Sequence, residues 1–202
     1  MIGIIDYGVG NLFSVCSSLD RIGESARIVK TESEIEASDR IILPGVGAFG
    51  DAAQKLKASG LDKVIIKEAK NGKPLMGICL GMQLLFGKSF EYGEHEGLGL
   101  IPGNIIAFEG KIPSEFKIPH IGWNALKFKG KSPLFKYIND GDFVYFVHSY
   151  FATDCSENTI ATAEYGIDVT AAAAKDNIFG CQFHPEKSGD VGLKILKGFC
   201  EV

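Results

Sequence analysis

Between Met1 and Phe86 the chain alternates strand-length apolar runs with stretches of helical spacing, and few folds accommodate that pattern. The apolar runs fall at residues 2–6, 26–29, 40–43 and 74–78. Between the first two, residues 11–22 place Leu12, Val15, Cys16 and Leu19 on one helical face, and Gly23 ends the pattern. A short acidic helix is expected between the second and third runs, and helical stretches cover residues 51–71 before the fourth. Strands joined through helices cannot form tight hairpins. They pair in parallel, with the helices packed on the sheet faces.

The second half changes character. Short apolar runs at residues 105–108, 125–128, 143–147, 159–164, 170–174 and 179–183 are separated by Gly, Asn and Asp turns, and a last helix is expected over 191–199. The expectation is an α/β fold of flavodoxin-like type. It has an open, mostly parallel central sheet with helices on both faces, and an additional antiparallel strand region in the second half. No linker, low-complexity segment or internal repeat interrupts the 202 residues, so the spacing predicts a single domain over 1–202.

Composition excludes several classes. A net charge of −4 without a dense basic run argues against nucleic-acid binding. No apolar stretch is long enough to span a membrane. The opening Met-Ile-Gly-Ile-Ile-Asp has no basic segment and no small-residue cleavage site, which predicts a cytoplasmic first strand rather than a signal peptide. Five cysteines, at 16, 79, 155, 181 and 200, form no CxxC pair and no disulfide framework. The histidines at 95, 120, 148 and 184 show no HxxxH or HExxH spacing, so neither a metal nor a cofactor is expected.

One cysteine stands apart from the others. In Gly77-Ile-Cys79-Leu-Gly81 it lies where an apolar strand turns into an apolar helix, between two glycines that leave room for close backbone approach. The following helix aims its free amides and positive dipole end at the sulfur, a setting that suits a nucleophile. Cys16, Cys155, Cys181 and Cys200 lack that setting and read as small core residues. Downstream, His184-Pro185-Glu186 offers a base and a carboxylate. If the segment is extended, residues two apart face the same way and the carboxylate reaches the imidazole. The division of labour is then Cys79 as nucleophile, His184 as base and acid, and Glu186 as orienter. Pro44-Gly-Val-Gly, at the carboxyl end of a predicted strand, frees amides at Val46 and Gly47 that, with the amide of Leu80, form a candidate oxyanion hole.

These residues resemble the class I (triad) glutamine amidotransferases. The resemblance rests on Asp6-Tyr-Gly-Val-Gly-Asn11, Leu43-Pro-Gly-Val-Gly-Ala-Phe-Gly50, Gly77-Ile-Cys-Leu-Gly-Met-Gln83, Pro119-His-Ile-Gly-Trp-Asn124, His148-Ser-Tyr150 and Phe183-His-Pro-Glu-Lys-Ser188, which together span the chain. The elbow and the HPE segment specify the family at large. GVGAFG and PHIGWN are similar to the branch that serves histidine biosynthesis. That branch implies hydrolysis of L-glutamine to glutamate and ammonia, with ammonia delivered to a separate (β/α)8-barrel cyclase that makes imidazole glycerol phosphate. An alternative acceptor is another synthase, such as one for surface sugars. The resemblance also implies a glutamine site at Gly45, Gly47, Gln83, Glu91, His148, Ser149 and Tyr150, with Glu94 and Glu96 as rivals to Glu91. It implies a partner face at Asn11, His120, Trp123 and Lys187. Trp123, the only tryptophan, is expected in a loop rather than an amphipathic strand.

Overall fold

A computed structural model describes residues 1–202 and resolves the early alternation into β1 (Ile2–Ile5), α1 (Leu12–Arg21), β2 (Ala26–Val29), α2 (Glu32–Glu36), β3 (Arg40–Gly45), α3 (Phe49–Ala58), α4 (Leu61–Lys70), β4 (Leu75–Cys79) and the short α5 (Leu80–Leu84). Local chemistry sets several of the starts. Asn11 caps α1 by accepting from the Ser14 amide, and Thr31 with Glu34 forms a capping box at α2.

The later strands are β5 (Lys88–Ser89), β6 (His95–Glu96), β7 (Asn104–Ala107), β8 (His120–Ala125), β9 (Lys127–Phe128), β10 (Phe143–His148), β11 (Tyr150–Thr153), β12 (Thr159–Glu164), β13 (Asp168–Lys175) and β14 (Ile178–Cys181), followed by α6 (Gly189–Cys200). The main sheet runs β2-β1-β3-β4-β14-β13-β12-β9. Its pairings are parallel from β2 through β14 and antiparallel beyond. A β10-β8 ribbon is antiparallel as expected, while a β11-β7-β5-β6 sheet is mixed: β11-β7 and β5-β6 are antiparallel but β5 runs parallel to β7.

The sheet is covered on both faces because its central strands β1, β3 and β4 are apolar at every position but Arg40 and side chains alternate in direction. Ile5, Ile41, Leu43 and Leu75 join one core with residues of α2, α3 and α4. Ile2, Ile4, Ile42, Met76 and Ile78 join another with residues of α1 and α6. The two cores hold 26 and 25 buried residues, so neither face is left short of cover.

Three expectations are corrected. Residues 120–125 form a strand, not a loop, and Trp123 sits opposite Tyr145 in the β8–β10 ladder. Ile121 and Trp123 face outward while His120 is buried, an alternation that Gly122 and Asn124 obscure in the sequence. The run at 125–128 is broken at Leu126, whose amide and carbonyl pair with Asp142 and Gly141 while its side chain enters the core. The HPE segment is a 3₁₀ turn over Pro185–Lys187 rather than extended chain, because proline at its first position presets the turn. No helix is long and apolar enough to cross a membrane.

Candidate active site

Cys79 ends β4 in a left-handed conformation, φ 53° and ψ −112°, which an L residue other than Gly adopts only under constraint. Such a backbone costs about 1–3 kcal/mol and persists where the surroundings over-determine it. Here the constraint is the sheet. β4 is held between β3 and β14, with Gly45 opposite Cys79, and the chain must leave the sheet at once to start α5. A Cβ at Gly77 would lie 2.6 Å from the Gly81 carbonyl oxygen, and one at Gly81 would collide with the Leu43 carbonyl. A Cβ on Gly45 would in turn meet the Gly81 amide at 2.7 Å. Three glycines therefore interlock around the elbow, and the thiol is forced to the carboxyl edge of the sheet.

His184 follows β14, the neighbour of β4, so strand pairing alone brings it beside Cys79. Its backbone is latched to β10: the His184 amide donates to Tyr145 O at 2.9 Å, and the Ser188 hydroxyl donates to His184 O while accepting from the Tyr145 amide. Across the 3₁₀ turn Glu186 Oε1 lies 2.8 Å from His184 Nδ1. A carboxylate accepts, so Nδ1 carries the proton and Nε2 is left for the thiol. Burial by itself lowers the imidazole pKa. Hydrogen bonding and charge attraction to Cys79 and then to Glu186 outweigh it, raising the pKa to about 9. The buried Glu186 Oε2 has no partner.

These groups open into a cavity of about 550 Å³, room enough for a small amino acid. Val46, Gly47, Cys79, Leu80, Gln83, Glu91, His148, Ser149, Tyr150, His184 and Lys187 all line it. Gly45 lies beneath the elbow, and Glu186 stands behind His184, outside the lining. Gly47 has a positive φ of 94° and Val46 is exposed, and both residues border the cavity.

Among the three acidic candidates the geometry separates one. Glu91 is buried at the cavity and its Oε2 accepts from the Phe49 amide, the first of α3, at 2.5 Å. Burial raises its pKa, against the pull of that amide. Glu94 is taken up by Lys88 at the surface, and Glu96 lines a different cleft. Gln83 is buried and spends both amide hydrogens internally, on Tyr150 O at 3.1 Å and on Gln182 Oε1 at 2.9 Å. Only its oxygen is left for a ligand.

The partner-face candidates divide. Trp123 is 52% exposed, and Ile121 and Phe143 beside it are also exposed, giving the β8–β10 ribbon an apolar outer face. Lys187 is exposed at the cavity rim, and Asn11 is half-buried at its helix cap. His120 does not belong with them. It is fully buried, stacked between Tyr165 and Phe146, and bonded to His148 and Asn124. Pro119, quoted in the PHIGWN motif, lines the cavity wall, where sequence reasoning passed over Tyr92, Glu109 and Ile118, which carry no local signal. It also passed over Gln182, whose Nε2 lies 3.7 Å from the Cys79 sulfur. The signal there was a polar side chain interrupting the apolar run at 178–183.

A cysteine elbow at the carboxyl edge of a parallel sheet, with an imidazole–carboxylate pair just beyond the adjacent strand, is one arrangement for acyl transfer from an amide. The family model for glutamine amidotransferase class-I matches residues 3–201, and the chain belongs to that family. Its fold is similar to that of PurLQS from Thermotoga maritima, with a TM-score of 0.77 at 21% identity over 99% of this chain and 97% of that one. Within the family, the chain is similar to the imidazole glycerol phosphate synthase subunit HisH of Wolinella succinogenes, at 50% identity over the whole of both chains. It is also 51% identical to the subunit of that name from Caldanaerobacter subterraneus subsp. tengcongensis, over 100% of this chain and 98% of the relative.

Proposed function

We propose that residues 1–202 act as one domain, the glutaminase subunit of an imidazole glycerol phosphate synthase in histidine biosynthesis. In this reading the Cys79 thiolate attacks the side-chain amide carbon of L-glutamine, and the oxyanion that develops is met by the amides of Leu80 and of the Val46–Gly47 loop. The imidazolium of His184 gives its proton to the departing nitrogen, releasing ammonia and leaving a thioester on Cys79. His184, neutral again, takes a proton from water, which attacks the thioester and frees glutamate. Glu186 holds the imidazole tautomer throughout. Glu91 receives the substrate ammonium, and the 148–150 backbone and the Gln83 oxygen hold its other polar groups.

Ammonia then passes to a (β/α)8-barrel cyclase bound as a heterodimer in the cytoplasm, the combined reaction including a lyase step. The exposed apolar face of β8 and β10, with Trp123 as anchor, and Lys187 at the cavity rim support a partner seated over the cavity. His120 would support that face from beneath rather than touch the partner.

The observation that carries the reading is the convergence of Cys79 with the His184–Glu186 pair in one cavity, in a chain half identical along its length to HisH subunits. The test is glutamate release from glutamine by the chain alone and then with the cyclase and its nucleotide ligand. Stimulation by the cyclase, and its loss in a folded Cys79→Ala variant, is expected. Comparable glutamate release from that variant would defeat the proposal.

A further inference from the structure

The contact between Gln182 and the nucleophile is not accounted for by the triad. Gln182 is completely buried between Gln83 and Cys79, one residue beyond β14 and two before His184. A buried amide in such a place has a fixed direction only if its neighbours dictate one.

They do. Tyr150 O is a carbonyl and only accepts, so Gln83 must turn its nitrogen toward it. The second hydrogen of that nitrogen goes to Gln182 at 2.9 Å, which therefore presents its oxygen to Gln83. By elimination the Gln182 nitrogen faces the Cys79 sulfur, at 3.7 Å. Besides the His184 imidazole, the sulfur meets Val147 O at the longer distance of 4.0 Å, an acceptor that a thiol satisfies and a thiolate does not. A donor aimed at sulfur favours the charged form, and a hydrogen bond to an ion is roughly twice as strong as one between neutral groups.

We propose that Gln182 is a positioning residue that donates an N–H to the Cys79 sulfur, stabilising the thiolate and tying it, through Gln83, to the Tyr150 backbone at the cavity wall. The relay gives the sulfur a fixed place relative to the substrate-binding segment. It rests on Cys79 being the nucleophile, but not on which amide is hydrolysed.

The experiment is the pH dependence of Cys79 alkylation by iodoacetamide, followed on the Cys79 peptide by mass spectrometry, in the whole chain. Gln182→Glu keeps an oxygen for Gln83 but puts a carboxylate oxygen where the N–H faced sulfur, so it replaces the donor with negative charge. Gln182→Met removes the whole relay at similar length. In both, the alkylation midpoint is expected to rise by about one pH unit, with the glutaminase turnover of the cyclase complex falling about tenfold and KM little changed. A purely structural role would lower folding stability without moving the midpoint. A midpoint unmoved in folded Gln182→Met, which removes the donor without adding charge, overturns the proposal. If neither variant folds, the Gln182 side-chain amide resonances of the parent chain decide: they are expected to shift with the same midpoint as alkylation, and their indifference to it overturns the proposal. Alkylation reads the N–H to sulfur contact whether or not the parent hydrolyses glutamine, so the two readings fail separately.

Discussion

Replacing Gly81 with alanine sets two known effects against each other. Gly81 lies in the first turn of α5, where helix propensity alone favours alanine by about 1 kcal/mol. Space opposes it. The added methyl would collide with the Leu43 carbonyl oxygen and sit 2.8 Å from its carbon and 3.2 Å from the Pro44 carbonyl carbon. These are backbone atoms of β3, an inner strand paired on both sides, so no flexible side chain can yield. Overpacking of this kind costs about 1–3 kcal/mol, and a backbone obstacle puts it at about 3. The balance is a net loss of about 2 kcal/mol, or a fall in Tm of roughly 4–8 °C for a chain of this size. Thermal unfolding followed by circular dichroism reads it. Alkylation of Cys79 in the same sample is expected to slow, because relief of the collision displaces the elbow. Gly99→Ala is the control: Gly99 is exposed with φ 62° and open space, so it loses only about 1 kcal/mol and leaves Cys79 reactivity unchanged. A Gly81→Ala variant melting at or above the parent would refute the reasoning.

Two further outcomes are expected. The folded-state pKa of His184 is raised from 6.5 to about 9, so its contribution to stability, of the order of 3 kcal/mol, is complete below about pH 6.5 and lost as pH rises through about 9. Urea midpoints across that window should fall in the parent and flatten in Cys79→Ala, which removes the largest favourable cause; equal slopes in the two chains would contradict the assignment. Trp123→Ala, at a half-exposed ring whose aromatic neighbour is Tyr145, should change monomer stability by less than about 1 kcal/mol. Cyclase affinity should fall by about 2 kcal/mol, some thirtyfold, and calorimetric titration giving an unchanged Kd would remove Trp123 from the interface.

The sequence spoke clearly wherever one local rule governed. Parallel pairing of β1 to β4 was legible because β1, β3 and β4 are short apolar runs and each connection is helical. The elbow was legible because Gly77 and Gly81 answer a purely local crowding. The β8 strand was hidden, since Gly122 and Asn124 break its apolar alternation and its partner β10 lies some twenty residues on. His120 looked like a surface group because nothing near it in sequence tells of Tyr165, in the β12–β13 turn, and Phe146, on β10, which enclose it. The choice of Glu91 over its neighbours depended on Phe49, a helix start far away in the chain.

The place of β14 bears on how the chain comes into being. Strand β4 has its partner β3 early in synthesis, but its other flank is occupied by a strand made about a hundred residues later. Until then an inner strand, apolar at every position, is an open edge ready to pair with another chain. Cys79 stands at the end of that edge, while the His184 imidazole arrives only with the strand that closes it. A nascent or truncated chain thus carries an aggregation hazard and no imidazole beside the Cys79 thiol; insertion of one strand removes the hazard and brings the two together in the same event.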